Sequence, residues 1–284
     1  MYSSDKKIMP PLWLWLLLVV VIIFAALLLK RITDINKEKD FAYRTFYLLK
    51  QLNNAKEKTV ILFLGTSLTK CDLDSSTKIE AAIKNESGKD VAIIKIWREG
   101  TSIKTITEAM PTLQNIHPSL LIVEANMLCY KIKGEGFATE IPATLNKLLR
   151  FKKHLPYAPE EKPTHRFTED IIGKNRTGIV DTSELKSFRE LTEKLQANGT
   201  RIMLVNYPYE KKEEYKKWNS ADTTLFKRNF KYIQQKVNFK YFDPKKNWDS
   251  SYYSDGGHMN YKGCLSFTKW IYTKLSAELK NYGN

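Results

Sequence analysis

Within Tyr253-Ser-Asp-Gly-Gly-His-Met-Asn-Tyr-Lys-Gly263, Asp255 stands three residues ahead of His258. A carboxylate this close to an imidazole can hydrogen-bond one ring nitrogen, fix the tautomer and stabilise the protonated ring. Such a pair lacks only a nucleophile. Ser67, in Gly65-Thr66-Ser67-Leu68-Thr69, follows the apolar run Thr59 to Leu64 where strand-like sequence gives way to helical spacing. A hydroxyl on that turn stands above the sheet, near a helix N-terminus that favours developing negative charge. His258 would take its proton and Asp255 would orient His258. The oxyanion of an acyl-transfer intermediate needs preorganised donors, and Gly100 and Asn126 each follow a further apolar run. The backbone N–H groups of Ser67 and Gly100 with the Asn126 side-chain amide make three, one of which can be worth about 3 to 4 kcal/mol of barrier.

These residues need a scaffold that brings strand ends together. Short apolar runs occur at Thr59 to Leu64, Val91 to Ile96, Ser119 to Val123, Arg201 to Val205 and Phe239 to Phe242. Between them lie helical patterns from Leu68 and over Ser183 to Ala197, the latter ended by Asn198-Gly199, and a last helix follows over Lys262 to Lys280. Strands alternating with helices predict a parallel sheet covered on both faces. Ligands of such sheets bind beyond the carboxyl ends of the strands, where Asn206-Tyr207-Pro208 reads first as a plain loop and second as a lining of the pocket by Asn206 and Tyr207. The pattern breaks between 127 and 181, a proline-containing insertion with the basic cluster Arg150-Phe-Lys-Lys-His154. A connection of this length reads as a lid or a docking insertion.

The N-terminal region has a different solvent. After a tail over 1–11, Leu12 to Leu29 carries no polar side chain; at about 1.5 Å per residue it reaches about 27 Å, enough for a hydrocarbon core. Trp13 and Trp15 sit at one end and Lys30 and Arg31 at the other, as interfacial anchors do. We therefore expect an uncleaved transmembrane helix over 12–29, an amphipathic juxtamembrane helix and linker over 30–57, and the α/β domain over 58–284. Lysine and arginine outnumber acidic residues 46 to 31, a net charge of +15 that suits anionic lipid or acidic glycans. No nucleic-acid-binding motif accompanies it, so nucleic acid is not an expected partner. The three cysteines, Cys71, Cys129 and Cys264, lie too far apart for a disulfide framework or a zinc site, and no metal or cofactor is expected.

Ser67, Gly100, Asn126 and His258 in this order, each after its own strand, with Asp255 three before the histidine, resemble the SGNH (GDSL-like) hydrolase and acyltransferase superfamily. The resemblance spans about Thr59 to Lys280 outside the insertion. It implies a flavodoxin-like three-layer sandwich with Ser67, His258 and Asp255 as triad and Ser67, Gly100 and Asn126 as oxyanion hole. Two blocks depart from the pattern: Thr66 stands where GDSL families have Asp, and Glu124-Ala-Asn-Met127 replaces Gly-x-Asn-Asp. Gly-x-Ser-x-Thr behind one N-terminal span is similar to membrane-anchored relatives that move or remove acyl groups on envelope glycans, such as those of alginate acetylation and teichoic-acid D-alanylation. This likeness implies an extracytoplasmic domain, an acylated glycan or other acyl ester as substrate, and a multispan membrane protein as acyl donor. Other readings of the same residues are a non-catalytic envelope assembly or glycan-binding module, and a general esterase, thioesterase or lipase.

Overall fold

The computed structural model describes residues 11–31, 58–97, 103, 117–128, 130–132, 176–180, 182–211, 220–244, 248–254 and 256–281. The expected juxtamembrane helix and most of the insertion lie outside them. The chain divides into two units, 1–44 with 135–157, and 45–134 with 158–284. In the first, helix α1 (Leu12–Arg31) has the length and apolar composition to cross a membrane, and none of it is buried. It runs two residues beyond the expected end, because Lys30 and Arg31 continue the helical turn.

The second unit is built on five parallel strands: β1 (Thr59–Gly65), β2 (Val91–Trp97), β3 (Leu120–Glu124), β6 (Arg201–Val205) and β7 (Phe239–Phe242). Their order across the sheet is β2-β1-β3-β6-β7, with register Gly65↔Trp97 and Leu64↔Val123 on the two sides of β1. In chain order this is the 2-1-3-4-5 arrangement of a flavodoxin-like doubly wound sheet, and its switch point falls between β1 and β3. All five strands follow the apolar runs of the sequence.

Residues that alternate along a strand point to opposite faces, which explains why β1 is apolar throughout. Leu62 and Leu64 join a core with Leu185, Phe188, Leu191 and Leu195 of α4 (Thr182–Ala197) and Ile233 of α5 (Ser220–Gln234). Ile61 and Phe63 join a second core with Ile79 and Ile83 of α3 (Ser76–Ser87) and Phe267, Ile271 and Leu275 of α6 (Tyr261–Lys280). These side chains are almost wholly buried, and each contributes about 1.5 to 3 kcal/mol relative to exposure. The result is a three-layer sandwich.

Helix α5 and the break in the helical run after Ser67 were not anticipated. Helix α2 (Ser67–Cys71) lasts only five residues before the chain turns at Asp72 and restarts as α3. The insertion leaves and re-enters through an antiparallel pair, β4 (Tyr130–Ile132) with β5 (Arg176–Ile179). Asn229 of α5, fully buried, donates to Leu128 O at 3.1 Å and to Val180 O at 2.7 Å, tying both ends of the insertion to the domain.

Candidate active site

The turn that carries Ser67 is fixed from below. Gly65 ends β1, Thr66 caps α2 with its side-chain oxygen accepting from Leu68 N at 3.2 Å, and Ser67 is the first helical residue. Glu124, at the end of the adjacent β3 and 1% exposed, receives the Thr66 amide at 2.8 Å. Its two oxygens also accept from Thr66 Oγ1 at 2.9 and 3.0 Å, and Oε2 accepts from Thr69 Oγ1 at 3.2 Å. The fit leaves no room for a side chain at residue 65. A Cβ there would run into Thr69 Oγ1 and come within 2.6 Å of Glu124 Oε2, so only glycine is accommodated.

His258 is reached from the far end of the chain. After a 3₁₀ turn (Ser250–Tyr252), Tyr253 forms an antiparallel bridge with Met259, and Ser254 N donates to His258 O at 2.8 Å. Asn260 closes the turn: its backbone N–H bonds Tyr252 O at 2.9 Å and its side chain caps α6 by accepting from Gly263 N at 3.1 Å. Two outside attachments aim this loop. Tyr253 Oη donates to Pro208 O at 2.8 Å, and Met259 N donates to Oδ1 of the buried Asp72 at 2.9 Å. Asp72 is itself the C-cap of α2, so one carboxylate links the helix that begins at Ser67 to the residue beside His258.

The outcome is a 2.9 Å contact between Ser67 Oγ and His258 Nε2, with Ser67 partly exposed and His258 only 6% exposed. With Nδ1 protonated, Nε2 is an acceptor and the serine hydroxyl donates to it. Asn126 lies two residues past Glu124 in a buried 3₁₀ turn (Ala125–Leu128), and its Nδ2 donates to Tyr207 O at 3.0 Å. Ser67, Asn126 and His258 are thus carried on segments tied to one another at the sheet's switch point. Gly100 and Asp255 lie outside the described residues.

The segment after β6 has another role than expected. Asn206 and Tyr207, the candidates for lining the pocket, have buried side chains. The Tyr207 ring packs on Phe267 with centroids 4.9 Å apart, and Asn206 Nδ2 donates to Asp243 Oδ1 at 2.9 Å. What this segment offers the site is its backbone: Tyr207 O takes the Asn126 amide, Pro208 O takes Tyr253, and Glu210 N donates to Gly256 O at 3.1 Å. Burial pushes the Tyr207 phenol well above its usual range, and nearby Glu124 and Asp72 push it the same way. The Cys264 thiol is pushed up to about 12 by burial, with Asp72 and Asp74 adding to it. Cys71 and Cys264 are buried, and no group of metal-binding side chains occurs among the described residues.

Sequence reasoning missed Glu124, Asp72 and Tyr253. Glu124 carried a signal, since an acid closing the apolar run Leu120 to Val123 must be paired if the strand is buried. No protein-family model matches the chain, and no curated protein does. Among solved structures, the chain is similar to a psychrotrophic esterase from Pseudoalteromonas sp., with 15% identity and a TM-score of 0.45, over 78% of this chain and 99% of that one. It is similar to a GDSL-like lipase from Bacteroides thetaiotaomicron, with 13% identity and a TM-score of 0.45, over 84% and 99% of the two chains. An acetylxylan esterase from Geobacillus stearothermophilus gives 11% identity and a TM-score of 0.44, over 76% of this chain and 94% of that one.

Proposed function

We propose that this chain is a membrane-anchored serine acyl-transfer enzyme of the SGNH type, acting on a cell-envelope polysaccharide as O-acetyltransferase or acetylesterase. The observation that carries the reading is the 2.9 Å contact of Ser67 Oγ with His258 Nε2 at the carboxyl end of the sheet. Ser67 Oγ attacks the carbonyl carbon of an acyl ester while its proton passes to His258 Nε2. The carbonyl oxygen becomes an oxyanion, received by the N–H groups of Ser67 and Gly100 and the Asn126 amide. Asp255 holds Nδ1–H of the imidazolium. His258 then returns the proton to the departing alkoxide, leaving an acyl-Ser67. Water releases the acid in hydrolysis; a sugar hydroxyl, deprotonated by His258, carries the acyl group away in transfer.

Helix α1 supplies the anchor in this reading, with domain 58–284 on the extracytoplasmic side and the basic surface facing acidic glycan or lipid. A single helix forms no path for an acyl donor, so transfer calls for a multispan partner. The decisive comparison is Ser67→Ala in the full chain. Loss of chromogenic acetyl ester hydrolysis by the protein in detergent, with under-acylated polymer in cells, supports the enzyme. Normally acylated polymer, with no hydrolysis that Ser67 accounts for, would leave the assembly-module reading in its place. A C-terminal reporter fusion active only in the cytoplasm would refute the envelope location.

A further inference from the structure

We infer that Glu124 is a positioning residue that sets the nucleophile against the oxyanion amide; the inference rests on the serine acyl-transfer reading above. A carboxylate 1% exposed at the end of a central strand is costly unless strongly paired. On the turn that carries Ser67 it accepts from Thr66 N, Thr66 Oγ1 and Thr69 Oγ1, at 2.8 to 3.2 Å. Glu124 is also two residues from Asn126, whose amide is held in turn on Tyr207 O. The carboxylate is therefore a short link between the segment that carries Ser67 and the segment that carries Asn126, across strands already paired at Leu64↔Val123. Without it the turn keeps the end of β1 but loses its attachment to β3, and the Ser67-to-Asn126 spacing is free to open.

The link acts on geometry rather than on substrate, which fixes the signature. Displacing a reacting group by about 1 Å can cost about 10²-fold in rate, so Glu124→Ala should lower kcat per folded molecule on an aryl acetate by about that factor. KM should stay within about twofold, because no substrate contact is removed. Glu124→Gln should recover kcat to within about tenfold of the unaltered protein. Its carbonyl oxygen can accept the Thr66 amide, and its NH₂ can donate to threonine hydroxyls that accept as readily as they donate.

The assay uses the full chain in detergent, with folded fraction from circular dichroism and Ser67→Ala measured alongside. If Ser67→Ala abolishes turnover while Glu124→Ala keeps kcat within threefold, the positioning role is wrong and the enzyme reading stands. If Ser67→Ala turns over normally, both fall. Should Glu124→Ala not fold, Thr66→Val decides: it keeps the amide bond to Glu124 and removes the Thr66 hydroxyl's bonds to Glu124 and its cap on Leu68 N, the latter's own effect being read from Thr66→Ala in the Glu124→Gln background. A kcat drop of about tenfold with KM unchanged supports the link, and unchanged kcat overturns it.

Discussion

Asp72 offers a way to test whether His258 is held in place by the helix that starts at Ser67. The residue is fully buried, and its Oδ1 accepts the amide of Met259 at 2.9 Å. Met259 is also fully buried, so in Asp72→Ala its N–H loses this acceptor where water does not reach. A hydrogen bond to a charged acceptor contributes about 1.5 to 3 kcal/mol, and an orphaned buried donor costs about 1 to 3 kcal/mol. We therefore expect an unfolding free energy about 2 to 3 kcal/mol lower, read from urea titrations followed by tryptophan fluorescence. If all of that energy went into holding the His258 loop against α2, about 3 kcal/mol corresponds to about 10²-fold in rate, which is the ceiling. Asp72→Asn keeps an acceptor oxygen for Met259 N and should lose less than half as much of either quantity. Turnover of an aryl acetate should fall in the order unaltered, Asn, Ala, with the Ser67→Ala background subtracted. An Asp72→Ala protein within 0.5 kcal/mol of the original in stability and within twofold in kcat/KM would refute the linkage, since that is how uninvolved surface positions behave.

Other expectations follow from single contacts. Gly65→Ala forces a Cβ against Thr69 Oγ1 and Glu124 Oε2, and should cost about 1 to 3 kcal/mol in urea unfolding together with a fall in kcat. Asn229→Ala removes the bonds to Leu128 O and Val180 O and should cost about 2 kcal/mol, with hydrogen exchange accelerated first around these two residues. The raised Cys264 thiol makes stability pH-dependent. The folded state keeps a proton that the unfolded chain releases, so the stabilisation is complete below about 9 and is lost as pH rises toward about 12. Between pH 8 and 10.5 this amounts to about 2 kcal/mol, with Tyr207 adding in the same direction at the upper end. Cys264→Ala should flatten that decline, and an unchanged slope would show that the thiol is not its source.

The scaffold was legible in the sequence because burial on both faces makes parallel strands uniformly apolar, and five such runs stand out between polar segments. Ser67 and His258 were legible for a related reason: a chemically able side chain directly after a buried run has few other places to be than the sheet's carboxyl edge. Hydrogen bonds between distant segments left no such trace. Nothing in Tyr253 predicts a bond to Pro208 O, and nothing in Asp72 predicts that it accepts from a residue 187 positions away. The Tyr207 ring completes the core against Phe267, which its neighbours Asn206 and Pro208, residues typical of an exposed turn, do not reveal in the sequence. In helix α5 Leu225, Phe226, Phe230 and Ile233 recur at helical spacing, but the polar Asn229 stands among them and breaks the apolar stripe.

The departures from the GDSL pattern look different once the strands are placed side by side. In sequence, Thr66 is a loss of the acid that precedes the serine, and Glu124 is an acid where glycine is usual. In space they are one feature, because β1 and β3 are neighbours and the Glu124 carboxylate closes on the Thr66 amide and hydroxyl. The two changes make physical sense only together: Thr66 supplies a hydroxyl donor that an aspartate in its place would lack, and a second carboxylate against Glu124 would add like-charge repulsion in a buried site. Asp at 66 with Glu at 124 should therefore be the least tolerated combination. Thr66→Asp should damage turnover more in this chain than in the same chain carrying Glu124→Gly, the pairing nearer to the family pattern. Such a double-mutant cycle isolates the interaction between the two positions from the effect of either change alone.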